Sequence, residues 1–212
     1  MRKLVLYGAA HVMVLKLLDA INRQEPTWDL VGFLDDAPER QQRECQGYPV
    51  LGGRELLAGL VREGVWVFSN VVSHWSKTKA IAELLESQGC LVPSLVHPAI
   101  DMAYVQIGKG CLISEACAIG SQAVLGDYVT VRLHSVLSHD VTVGDYSLVG
   151  PGVTVAGRAR LGTACFIGAG ATILPELSVG DFAIVGAGAV VTRDVAPGAT
   201  VAGVPARPLD RR

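Results

Sequence analysis

Few residues of this chain carry chemistry by type alone, and most of them fall in two short stretches. His134, His139 and Asp140 stand close together in the second half. An imidazole titrates near neutrality, so either histidine can exchange a proton at physiological pH or ligate a metal. Two histidines five residues apart could supply two of the three protein ligands that a catalytic zinc requires. His97 is the upstream candidate for a third, 37 residues before His134. Taken alone, His139 is better explained as a solvated residue at a chain corner. The second stretch is Gly8-Ala9-Ala10-His11, a glycine-led turn after an apolar run, with Asp35-Asp36 closing the next such run.

The elements around His139 follow a period of six. From Ile107 through Ile113, Ile119, Leu125 and onward to Val191, fifteen successive sixth positions are aliphatic. The position after each is mostly glycine, as in Gly108, Gly120, Gly126 and Gly144, and the fourth after each is usually small. A helix needs apolar spacings of three and four, and a half-buried strand alternates by two. A strict six is a solenoid signal. It predicts a parallel β-helix with three flat sides of one hexad each, rungs about 4.8 Å apart and aliphatics stacked eighteen residues from their counterparts. Cys111, Cys117 and Cys165 occupy the small slot, which reads as packing rather than reactivity.

Residues 1–95 obey other rules. Lys3–Tyr7, Leu30–Leu34 and Val65–Phe68 read as strands. Helical patterns run through Val14–Ile21, Glu55–Val61 and Thr78–Glu86. Strand and helix alternate, which predicts a small parallel, Rossmann-like α/β domain over 1–95 joined to the β-helix over 96–212. A net charge of -2 without a basic run gives no reason to expect nucleic acid or an anionic membrane as partner. The N-terminal apolar run is too short for a signal peptide, and five cysteines without paired spacing do not form a disulfide framework. The expected compartment is the cytoplasm.

The hexad array, the segment His139-Asp140-Val141-Thr142-Val143-Gly144-Asp145-Tyr146 and the tail Val201-Ala202-Gly203-Val204-Pro205-Ala206-Arg207 resemble the hexapeptide-repeat acyltransferases. Val31-Gly32-Phe33-Leu34-Asp35-Asp36 and Pro49-Val50-Leu51-Gly52-Gly53 narrow the match. They resemble the sugar acetyltransferases that include the sialic acid O-acetyltransferase group and the nucleotide 4-amino-sugar N-acetyltransferases. The resemblance implies a left-handed coil and a homotrimer with active sites between neighbouring subunits. It implies acetyl-CoA as cosubstrate, no metal, and a nucleotide-linked sugar as acceptor. It places His139 as general base, Asp140 as its orienting partner and Gly157 as the backbone donor to the oxyanion. Ala169, Ala187 and Gly203 match positions that line the coenzyme A groove. Gly8, His11, Asp35 and Asp36 match positions that meet the nucleotide.

The chain departs from the family pattern in three places. Gly8-Ala9-Ala10-His11 is one residue shorter than the usual Gly-x-Gly-Gly-His. Ser69-Asn70 replaces the usual Ile-Gly, and Leu148 stands where many relatives have a second histidine. Other expectations are O-acetylation of a free sugar, sialic acid or amino acid, and a non-catalytic β-helix scaffold. His134 and His139 also resemble the zinc ligands of gamma-class carbonic anhydrases. That fourth reading leaves the N-terminal domain without a role.

Overall fold

The computed structural model describes residues 1–9, 12–71 and 74–209, in two compact units that divide between Leu95 and Val96. In the first unit the order is β1 (Arg2–Tyr7), α1 (Met13–Gln24), β2 (Trp28–Leu34), β3 (Glu44–Cys45), β4 (Tyr48–Gly52), α2 (Leu57–Arg62), β5 (Trp66–Ser69) and α3 (Trp75–Ser87). The sheet runs β3-β4-β2-β1-β5. β4, β2, β1 and β5 are parallel, as the intervening helices α1 and α2 require. Leu4 to Tyr7 of central β1 are all buried, which explains an unbroken apolar run rather than an alternating one. Val14, Leu17 and Leu18 give α1 its buried stripe.

The antiparallel β3–β4 hairpin was not expected from the sequence. β3 is only two residues long and shows no period, and Pro49 masks β4. The turn at Gln46 and Gly47 holds both residues at positive φ, 53° and 79°, the geometry a two-residue hairpin needs.

The second unit is a parallel β-helix. Its first face stacks Gln106–Ile107, Val124–Leu125, Thr142–Val143, Arg160–Leu161 and Ser178–Val179. The second runs from Leu95–Val96 through Leu148–Val149 to Thr200–Ala202, and the third from Ala118–Ile119 to Val190–Val191. Register is eighteen residues: Leu125 pairs with Val143, Val131 with Val149 and Leu137 with Val155. Each hexad turns two residues inward, the aliphatic and the small-slot residue two before it, as with Ala123 and Leu125 or Ser135 and Leu137. Burying one such aliphatic contributes about 1.5–3 kcal/mol.

The small slot does more than pack. Ser135 and Ser147 donate their hydroxyls to the carbonyls of Gly150 and Gly162, each at 2.8 Å. The thiols of Cys111, Cys117 and Cys165 donate to Gly126, Arg132 and Gly180 at 3.0, 3.0 and 3.2 Å. Every one of these bonds reaches fifteen residues ahead, so serine and cysteine are interchangeable there. Burial raises the Cys165 thiol to about 11, which keeps it protonated and inert at neutral pH.

Every sixth residue from Tyr104 to Gly188 adopts left-handed backbone. Eleven of these fifteen are not glycine, and their φ lies between 56° and 65°. The glycines that directly follow the aliphatics serve space, not backbone freedom. A Cβ at Gly168 would lie 2.5 Å from the Ala187 nitrogen one coil on. The last coil is shorter: Val185 pairs with Val201 and Val179 with Val195. Arg207–Pro208 then adds antiparallel to Thr200–Ala202. Among the described residues no helix is long and apolar enough to cross a membrane.

The two kinds of glycine should respond differently to substitution. Gly168→Ala should cost about 1–3 kcal/mol through overpacking. Gly170 is left-handed with open space around its α-carbon, so Gly170→Asn should change stability by less than about 0.5 kcal/mol. Urea titration of the two variants tests the contrast.

Candidate active site

His139 and Asp140 lie at the corner where the third face passes into the first, after Val136–Leu137 and before Thr142–Val143. Asp140 is one of the left-handed residues, with φ 59°. Its N–H donates to the Ser121 carbonyl at 3.0 Å, which pins the turn to the coil below. His139 Nδ1 meets Asp140 Oδ2 at 2.7 Å, and both side chains are half exposed. A pair this wet adds little stability; what it supplies is orientation. With the carboxylate as acceptor, Nδ1 carries the hydrogen and neutral Nε2 keeps its lone pair.

Gly157 sits one coil above. A Cβ there would lie 2.5 Å from His139 Nε2 and 2.7 Å from Cε1, so only glycine leaves room for the ring. The neighbouring turn residues Arg158 and Glu176 donate their N–H groups to the His139 and Gly157 carbonyls, each at 3.0 Å. Among the described residues the Gly157 N–H has no such place in the backbone ladder. At the corner between the first and second faces, the equivalent N–H groups of Lys109, Asp127 and Thr163 are taken by the carboxylates of Asp127, Asp145 and Asp181. The His139 corner lacks that carboxylate cap. It therefore presents an oriented imidazole nitrogen beside a backbone donor, a proton acceptor next to a group that can stabilise developing negative charge.

His134 is not part of this site. It occupies the turn before Val136–Leu137, at the opposite end of that strand from His139. The His97 N–H bonds to the Ile113 carbonyl on the second face. Among the described residues no group of histidine, cysteine and carboxylate side chains is arranged to hold a metal ion. Ala169 and Ala187 do come together, exposed and one coil apart on the corner between the second and third faces, where the Gly188 N–H donates to the Ala169 carbonyl. Gly203 follows on the same corner and accepts from the Val190 N–H at 3.0 Å. Leu148 is half-buried on the second face, in register with Thr130 and Phe166.

In the first unit, Gly8, Asp35 and Asp36 gather at the carboxyl ends of β1 and β2; His11 lies outside the described residues. The Gly8 N–H donates to the Leu34 carbonyl at 2.7 Å. Asp35 accepts the N–H groups of Ala9 and Ala37 and Arg40 Nη1 at 2.9, 3.0 and 3.0 Å. Asp36 accepts the Tyr7 hydroxyl at 2.6 Å and both the backbone and guanidinium of Arg54. Burial alone would raise both carboxyls. For Asp35 the two N–H groups and Arg40 outweigh it, and for Asp36 Arg54 and Tyr7 do, so each is held below its ordinary value. Asn70, at the end of β5, donates to the Gly8 carbonyl at 2.8 Å. Sequence reasoning treated Asn70 only as a departure and did not single out Tyr7, Arg40 or Arg54. Position at a parallel strand end was the available signal. Beside this loop is a cleft of about 390 Å³ lined by Ala9, Glu39, Arg40, Arg43, Glu44, Cys45 and Val50.

A coil of hexads with an imidazole aimed past a glycine N–H defines a class, the β-helical acyltransferases. No family model matches the chain, and no curated protein matches it. Solved structures do. The acetyltransferase domain of PglB from Neisseria gonorrhoeae FA1090, in complex with acetyl coenzyme A, is 30% identical. It covers 98% of this chain and 99% of its own, with a TM-score of 0.88. WeeI from Acinetobacter baumannii AYE is 27% identical over 99% of this chain and 100% of its own, with a TM-score of 0.85. PerB from Caulobacter crescentus, in complex with CoA and GDP-perosamine, shares the fold. It is 24% identical over 99% of this chain and 98% of its own, with a TM-score of 0.86. The chain belongs to the hexapeptide-repeat sugar acetyltransferases, and it is an acyltransferase.

Two outcomes are expected from this geometry. Gly157→Ala should push the imidazole off its position and lower kcat about 100-fold with little change in melting temperature, read by steady-state kinetics beside thermal unfolding. The depressed carboxyls Asp35 and Asp36 contribute stability that is complete above their ordinary value of 3.8 and is lost as pH falls through their folded-state values. Acid unfolding followed by circular dichroism should therefore lose part of its pH dependence in Arg54→Met.

Proposed function

We propose that the protein transfers the acetyl group of acetyl-CoA to an amino group on a nucleotide-linked sugar. The observation that carries this is the His139–Asp140 pair set against Gly157. His139 Nε2 removes a proton from the acceptor nitrogen as it attacks the thioester carbonyl. Asp140 holds the ring and stabilises the imidazolium. The Gly157 N–H bonds the oxyanion of the tetrahedral intermediate. Collapse of that intermediate breaks the C–S bond, and the imidazolium returns its proton to the departing thiolate. The thioester is already activated, so no acyl-enzyme is needed and no metal enters the scheme.

The exposed column of Ala169, Ala187 and Gly203 supports the coenzyme, because side chains this small let pantetheine approach backbone. It lies on a different corner from His139 in the same coil. As the family resemblance implies, we take the coil to be left-handed and the protein to be a homotrimer, in which the His139 corner of one subunit meets the small-residue corner of the next. The first unit, a small Rossmann-like domain, takes the nucleotide at its strand ends. Gly8 and Ala9 stand where the nucleotide is received, and Asp35 and Asp36 hold their frame through Ala9, Tyr7 and Arg54. Work in the cytoplasm, where acetyl-CoA and nucleotide sugars are both made, suits this chemistry.

The test is thiol release from acetyl-CoA with a panel of UDP-, GDP-, TDP- and CMP-linked sugars, each offered with an amino or a hydroxyl group at the same carbon. Turnover is expected with one amino-sugar nucleotide and should fall about 10²–10⁴-fold in His139→Ala at unchanged melting temperature. Full turnover in His139→Ala would reject the mechanism, and turnover confined to hydroxyl acceptors would reject the substrate.

A further inference from the structure

The residues Asp140, Arg158 and Glu176 stand one coil apart along the outer edge of the His139 corner. All three are left-handed, with φ of 59°, 63° and 65°, so their side chains leave the coil in parallel. Neighbouring rungs are about 4.8 Å apart, and the charges alternate negative, positive, negative. The Arg158 guanidinium thus has a carboxylate within reach on either side. It is turned toward Glu176, with Nε and Nη2 at 2.8 and 2.6 Å from Oε1. Asp140 is left to His139 at 2.7 Å.

We propose that Glu176 is a positioning residue for acyl transfer: by holding Arg158 on the far side, it reserves the Asp140 carboxylate for His139. The inference rests on the reading of His139 as proton acceptor given above. A guanidinium offers a carboxylate two parallel N–H groups where a neutral imidazole offers one. Without a carboxylate at 176, the arginine turns one rung down and competes for Asp140. The imidazole then loses its anchor.

The other groups around the ring do not replace this effect. Ser121 and Gln122 lie on the coil below, and Gly157 lies above. Arg160 faces outward on the following strand between Thr142 and Ser178. Arg158 and Glu176 are both well exposed in the single chain, at 58% and 64%, so their pairing adds little to the stability of the coil itself.

The experiment compares full-length wild type, E176Q, R158A and R158A/E176Q. E176Q should lower kcat about tenfold and leave the KM for acetyl-CoA unchanged. Its low-field Nδ1–H proton resonance should weaken. R158A should resemble wild type, and the double variant should recover both the rate and the resonance. Wild-type behaviour in E176Q, or a loss that R158A does not reverse, overturns the proposal. His139→Ala separates the layers. If it abolishes turnover while E176Q changes nothing, only the role of Glu176 fails; if it is fully active, the reading of the site fails with it.

Discussion

The eighteen-residue register between coils organises the second unit. Each ladder bond fixes a residue directly above its counterpart, so the neighbours that matter are one coil away rather than adjacent in the chain. The constraint is strong enough to hold eleven non-glycine residues in left-handed backbone, a conformation that costs roughly 1–2 kcal/mol per residue. The turn N–H groups recover part of this by bonding carbonyls nineteen residues earlier, as Asp140 does to Ser121. The same stacking sets the His139 ring against Gly157, aligns Ala169 with Ala187, and hands each small-slot serine or cysteine a carbonyl fifteen residues on.

The first unit builds its site by another rule. In a parallel sheet all the strands release their chains at one end, and the loops there must be tied by side chains because the ladder has stopped. Asp35 reaches across to Ala9, Asp36 ties Tyr7 to Arg54, and Asn70 closes on Gly8. These in-chain bonds give the loop its shape.

Legibility in the sequence follows from how each feature is encoded. The β-helix was readable because one aliphatic in six repeats fifteen times without a gap. The three helices were readable from apolar spacing, and β1, β2 and β5 from apolar runs of four or more residues. The β3–β4 hairpin was not, since the two residues of β3 carry no period, Pro49 interrupts β4, and the turn, Gln46-Gly47, lacks an asparagine or aspartate. At the active corner, His139 and Asp140 stand out as residue types, whereas Gly157 is one glycine among 24 and needed the family pattern to single it out. The Arg158–Glu176 pair is invisible in linear order and obvious once the chain is written in columns of eighteen. Side-chain bonds such as Cys165 to Gly180 could not be read, because the carbonyl they satisfy is defined only when the coils are stacked.

The shortened last coil has a consequence for assembly. A stack of identical rungs ends in a row of unsatisfied peptide groups, an invitation for another chain to continue it as a fibre. Here the final turn slips by two residues against the one beneath, and Arg207–Pro208 folds back in the opposite direction with a residue that has no N–H to offer. A newcomer would find neither the spacing nor the polarity needed to extend the column, so growth stops at one molecule's length.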